Sequence, residues 1–244
     1  AVRARLSSAR PYCAQMSWAM APRAGSSPVL GLLGVFGCLG LLLAGCKRVD
    51  PVDAKLPALK PALFSDSFDR AELGPEWRDT ASPGVYRIVG GELVARGAYN
   101  HPLWLTRALP RDAVIEIDAW SNSPAGDIKV EAFGDGKSFA QQASYTSSGY
   151  VFIQGGWSNR FTVLVRLDEH ANDRRQRQDL PVEQRRRYHW VIARHGEQVD
   201  WFIDGKLAHS LVDAEPLAGP EHSFFALNDW EAELHFDNLV IRPY

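Results

Sequence analysis

The sequence predicts an all-β protein whose short antiparallel strands stack as a sandwich or close as a barrel. Apolar residues recur at every second position over many short stretches, two-residue turn signals separate several of them, and helical periodicity is nearly absent. In chain order, Ala113, Ile115, Ile117 and Ala119 alternate with Glu116, Asp118 and Trp120. Ile128, Val130 and Ala132 alternate with Asp127, Lys129, Glu131 and Phe133. Phe161, Val163, Val165 and Leu167 alternate with Arg160, Thr162, Leu164 and Arg166. Each pattern is that of a strand with one face buried. Further strands are expected at 85–89, 92–96, 102–108, 149–154, 187–194, 198–204, 206–211, 222–228 and 232–242. Gly90-Gly91 and Asp204-Gly205 sit where two-residue hairpin turns are needed. Only 168–186 has room for a short helical turn.

Charge divides the chain differently. Residues 1–45 hold four arginines and no Asp or Glu, whereas the rest carries 23 of the 27 basic residues against all 29 acidic ones, a formal net charge of −6. A basic, acid-free segment ahead of an acidic body is the pattern of an export signal. Val29–Gly45 is uncharged for 17 residues and contains five glycines, short of the ~20 residues of a spanning helix. It ends in Leu43-Ala44-Gly45-Cys46. This resembles the lipobox of bacterial lipoproteins, which implies cleavage before Cys46 and acylation of that residue. Two or three acyl chains, at ~0.8 kcal/mol per buried CH₂, hold a membrane far more firmly than one.

The expected organisation is therefore a signal segment over 1–45, a lipidated Cys46 with a Pro-rich extended tether over 46–62, and one folded domain over 63–244. A signal starting at Met20 has 26 residues, so 1–19 reads as an overrun upstream of the true start. The expected location is the bacterial cell envelope, with Lys47 after the cysteine favouring the outer membrane. Cys13 and Cys38 precede the cleavage point, which leaves the mature chain without a free thiol and excludes thiol catalysis. The body has no polybasic stretch long enough to suggest nucleic acid as its main partner.

Four segments carry a further likeness: Phe64-Ser-Asp-Ser-Phe68-Asp69-Arg70, Leu73-Gly-Pro-Glu-Trp77, Trp201-Phe-Ile-Asp204-Gly205 and Phe236-Asp237-Asn238-Leu239. In this order and spacing they resemble the concanavalin A-like jelly rolls, a superfamily that includes legume lectins, laminin G-like modules and family 16 glycoside hydrolases. The resemblance spans roughly 63–244. It implies a two-sheet antiparallel jelly-roll sandwich with a glycan-binding concave face. It further implies a structural Ca²⁺ between the terminal strands, with Asp66 and Asp237 as carboxylate donors; no other cofactor is expected.

Family 16 hydrolases carry Glu-x-Asp-x-Glu on one concave strand, as nucleophile, helper and acid/base. Glu116-Ile-Asp118-Ala-Trp120 matches the first two places, and Trp120 or Ser121 at the third is no proton donor. If 121–126 closes a hairpin, Glu116 faces Glu131 and Asp118 faces Lys129, with Arg166 near enough to neutralise them. Such a glutamate pair has the ~5–5.5 Å spacing of a retaining glycosidase. The charge-dense stretch from Arg166 to Arg175 adds Glu169 and His170 as supporting acid/base groups. Trp104, Trp120, Trp157 and Trp230 are candidate stacking platforms for sugar rings, beside Glu116, Asp118, Lys129, Glu131 and Arg166 for hydroxyls. Three function classes follow: a carbohydrate-binding module without turnover, a glycoside hydrolase with Glu116 and Glu131 as its carboxyl pair, and a structural envelope lipoprotein. The broken third place favours the first, with a glycan or polysaccharide and the membrane lipid as partners.

Overall fold

The computed structural model describes residues 54–141 and 145–244. The signal segment, Cys46 and the start of the tether lie outside the described residues. Fifteen strands form two sheets in which every pairing is antiparallel. The first sheet runs β13 (Lys206–Val212), β12 (Gln198–Ile203), β11 (Tyr188–His195), β6 (Ala113–Ser121), β15 (Glu233–Pro243), β4 (Glu92–Arg96) and β3 (Tyr86–Val89), with β1 (Phe64–Asp66) added along β15. The second runs β10 (Arg175–Arg177), β9 (Phe161–Arg166), β8 (Tyr150–Gly155), β7 (Ile128–Gly134), β14 (Phe224–Asn228), β5 (Leu103–Leu105) and β2 (Trp77–Asp79). This is the two-sheet jelly-roll sandwich.

The alternation dictates the core. Ile115, Ile117 and Ala119 of β6 meet Ile128, Val130 and Ala132 of β7 between the sheets, all fully buried. Trp190 lies 4.5 Å from Trp201, whose ring meets Phe152 of the second sheet edge-on at 5.7 Å. Such aromatic contacts add about 0.5–1.5 kcal/mol beyond area burial. The Trp190 indole donates to Gln154 Oε1 at 3.1 Å, tying the sheets together by a hydrogen bond as well. Gly90 and Gly91 turn β3 into β4, and Asp204 and Gly205 turn β12 into β13, all four at positive φ.

One expected pairing does not form. Segment 121–126 is a crossover rather than a hairpin: β6 pairs with β11 and β15, whereas β7 pairs with β14 and β8. Both strands turn their apolar parity inward, so their polar parities point away from each other, out of opposite surfaces of the sandwich. Phe133 also departs from the expected parity. A bulge opposite Phe224 and Phe225 puts it at φ 58° and rolls its ring into the core.

The tether is partly docked. Ala54 packs on Val114, Val191, Ala193 and Phe202, an apolar patch on the outer face of the first sheet. Lys60 Nζ donates to the Tyr244 carbonyl, Arg242 donates to the Lys60 carbonyl at 2.8 Å, and the Leu63 N–H donates to Ile241 O at 2.8 Å.

Gly134 permits the tightest packing in the second sheet, since an added Cβ would stand 2.5 Å from Trp104 Cη2 and 2.9 Å from Ser148 Oγ. Gly134→Ala should therefore lower the urea-unfolding free energy by about 1–3 kcal/mol through overpacking. Unchanged stability would show that the Trp104 ring has room to move.

Candidate functional site

The outer face of the second sheet has two chemically distinct halves. On β8 and β9 it is apolar: Val151, Ile153, Val163 and Val165 form a buried cluster capped by Trp157, Phe161 and Ala171. On β7 and β14 it is polar, and Lys129, Glu131 and Asn228 are buried there. A cavity of about 400 Å³ opens at the junction, walled by Trp157, Glu169, His170 and Trp230 and floored by Asp127 and Lys129. That volume lies in the usual range for small-ligand sites, roughly 300–1,000 Å³.

Buried charge demands partners, and all but one carboxylate oxygen of the groups described next find them. Lys129 Nζ is 2.5 Å from both Asn100 Oδ1 and Glu169 Oε2, an ion pair almost closed to solvent. Glu131, fully buried, accepts from Tyr145 Oη at 3.1 Å, from Asn228 Nδ2 at 2.6 Å and from the Ser147 hydroxyl. Burial raises its pKa, against the opposing pull of Ser147, Lys129, Asn228 and Tyr145. Asp127 stands at the start of β7 with φ 64°, its N–H bonded to Gly155 O. Burial pushes its carboxyl up to about 7; Asp229 and Glu169 add to the rise and Lys129 opposes it. Asp229, behind the cavity, is raised to about 6 by burial, opposed by the N–H groups of Ala98, Gly97 and Ala232. Its Oδ1 has no partner.

The Trp157 wall rests on an unusual backbone. Gly155, Trp157, Ser158 and Asn159 all have φ between 53° and 72°, a left-handed turn closed by Arg160 N–H to Gly156 O. Left-handed helical geometry costs about 1–2 kcal/mol for each non-glycine residue. Asn159 offsets this by bonding both polar backbone groups of Val182, at 2.7 and 2.8 Å. The Arg174 guanidinium lies 4.4 Å above the indole and His170 meets its edge, so the ring is fixed in place. Trp230 is 40% exposed and braced edge-on by Tyr99.

Of the residues singled out from sequence, Lys129, Trp157, Glu169, His170 and Trp230 come together at this cavity. Glu131 lies in the same network but is sealed beneath it. Trp104 is fully buried, its indole N–H bonded to Ser138 O, and presents no stacking face. Glu116, Asp118 and Trp120 belong to the opposite surface, which breaks the expected Glu116–Glu131 pair. There Arg242 holds Glu116 at 2.7 Å, His189 and Asn238 hold Asp118, and Trp120 is packed between His235 and the Arg187 guanidinium. Arg166 turns to the sheet edge and pairs with Asp213 at 2.9 Å. Asp66 and Asp237 do come from strands that pair, β1 and β15. However, Arg70 and Trp77 occupy the Asp66 carboxylate and Arg187 engages Asp237. No group of three or more His, Cys, Asp or Glu side chains that could hold a metal ion is found among the described residues.

Sequence reasoning missed Asp127, Asn100 and Asn228 as site residues. The signal was nonetheless present: Asp127-x-Lys129-x-Glu131 has the same every-second-residue spacing as the pattern sought at Glu116. A lysine in the middle place disguised it.

No protein-family model matches the chain, and no curated protein does either. Solved structures do. A carbohydrate-binding module, CBM66, from Bacillus subtilis matches at 14% identity and TM-score 0.52, covering 68% of this chain and 95% of that one. A laminarinase from a Flavobacterium species matches at 9% identity and TM-score 0.53, covering 74% and 99%. The endo-β-1,3-glucanase of Pyrococcus furiosus matches at 12% identity and TM-score 0.51, covering 75% and 94%. At these identities the similarity establishes the jelly-roll fold.

An acid whose pKa rises on folding keeps a proton that the unfolded chain has already lost, so its contribution to stability declines as pH climbs from about 4 towards 7. Asp127→Asn should accordingly be more stable than the wild type at pH 8, with the gap closing by pH 5. Urea unfolding at the two pH values measures this, and a pH-independent gap would refute the raised carboxyl.

Proposed function

We propose that this protein is a lipid-anchored, extracytoplasmic carbohydrate-binding module without turnover, and that its glycan occupies the cavity between Trp157 and Trp230. Aromatic walls stack on the apolar faces of sugar rings, while Asp127, Glu169 and Asn100 supply hydroxyl partners. The observation that carries the reading is the state of Glu131. It holds the third place of the β7 alternation, yet it is fully buried and accepts from three donors. A carboxyl so enclosed cannot reach a leaving-group oxygen, and loss of an acid/base typically costs 10²–10⁴-fold in rate. The neighbours' own binding and hydrolytic activities support a saccharide as the ligand class.

One observation favours a second reading, glycoside hydrolysis. Asp127, titrating near 7 beside Glu169, is placed as an acid next to a carboxylate in one cavity. A glycan array paired with reducing-end release on the same polysaccharides separates the two. Binding without release, weakened about tenfold or more by Trp230→Ala, is expected from a central aromatic contact. Release abolished by both Asp127→Asn and Glu169→Gln would instead make the protein an enzyme.

The anchor is tested on its own. A clickable palmitate analogue fed to expressing cells should label the wild type and not Cys46→Ser. Equal labelling of the two would eliminate lipidation at that residue.

A further inference from the structure

Arg194 occupies a position made for an apolar side chain. It shares the inward parity of Trp190 and Ile192 on β11 and is fully buried. Its guanidinium lies 4.5 Å from the Phe133 ring centroid, and Nη1 donates to the Leu217 carbonyl. Nε and Nη2 are buried with no hydrogen-bond partner. Among the described residues no carboxylate stands within ion-pairing distance. Asp112 and Asp213 act on the guanidinium only from further off, and Arg111 opposes them. Both acids are committed elsewhere, Asp112 to the Gly196 N–H and Asp213 to Tyr150, Arg166 and the Glu215 N–H. A buried cation left in this state is costly, because desolvation is not offset by a counter-charge.

Arg194 also forms part of the wall of a second cavity, of about 210 Å³, that shares no residue with the glycan cavity. Its other polar side chains are Arg111, His222 and Ser223, and it contains no acid. Ser148 O fixes the His222 ring through Nδ1 at 2.9 Å. At ~30 Å³ per water the space holds about seven waters, or one compact oxyanion with part of its hydration. It is too small for a sugar chain.

We infer that this cavity is an anion site, built for one compact oxyanion whose charge Arg194 and Arg111 neutralise. A free tetrahedral anion and the carboxylate of an acidic molecule present the same chemistry, so sulfate, phosphate and acetate are the probes. Chloride at equal ionic strength is the control.

Thermal unfolding of the full chain at increasing sulfate should show a saturable rise in Tm at low millimolar concentration, absent in Arg194→Met. General salting-out would instead raise both proteins alike and without saturation, and that result would overturn the proposal. Without oxyanion, Arg194→Met should match or exceed the wild type in stability, since it removes an unpaired buried charge. Titration calorimetry gives a second measure: phosphate should bind the wild type, and Ser223→Glu, which supplies the missing counter-charge, should weaken it at least tenfold. Absence of heat with all three probes would show that the cavity holds water alone. A response to acetate without one to sulfate or phosphate would identify a carboxylate as the occupant.

Discussion

A buried ammonium and a buried carboxylate two residues apart on one strand govern the working face of this protein. Lys129 and Glu131 cannot be left unpaired there, because removing one partner from a buried charge pair typically costs 3–5 kcal/mol. Their needs account for the polar groups around them. Asn100, Asn228, Tyr145 and Ser147 converge on these two side chains, and Glu169 is drawn in from the loop after β9. The loop then covers the apolar half of the face and supplies one wall of the cavity. A lysine between two acids thus turns an exposed row of charges into a closed floor with an aromatic rim.

The same residues explain how far the sequence could be read. Strands with one buried face announce themselves locally, and the expected strands 85–89, 92–96, 113–120, 198–204 and 206–211 reappear with shifts of at most one residue. Of the strands of three residues, β5 falls within the expected 102–108, whereas β1, β2 and β10 carry too little alternation to be seen. Sheet membership was not legible. Period two fixes which parity of β6 faces inward, but says nothing about which surface its other parity adorns. A polar crossover such as Ser121–Gly126 reads the same as a hairpin. Lys129, Trp157, Glu169, His170 and Trp230 were legible as site residues because each was chemically conspicuous. The left-handed turn that positions Trp157 was not, since it is held by the hydrogen bonds of Asn159 to Val182, 23 residues along the chain, and not by local preference.

An architecture shared with glucanases and a binding module does not by itself specify a site. Identity to them is 14% or lower, enough to keep two sheets and their core. Here the row of side chains along the middle strand of the second sheet is partly sealed by its neighbours. In this chain the seal is made of short polar residues on β14 and on the segment before β8. A change of two or three small side chains there would decide how much of the row a saccharide can touch.

The segment from Ala54 to Leu63 is docked along the first sheet, which shortens any free tether ahead of the domain. With an acylated Cys46, only the seven residues 47–53 separate the anchor from the point where the chain lies against the first sheet. At ~3.3–3.6 Å each they span at most about 25 Å, well short of the 40 Å or more that a fully free tether would allow. The cavity opens from the outer face of the second sheet, the surface opposite the one on which Ala54 docks, so the chain enters the domain on one side and leaves the other uncovered for a ligand.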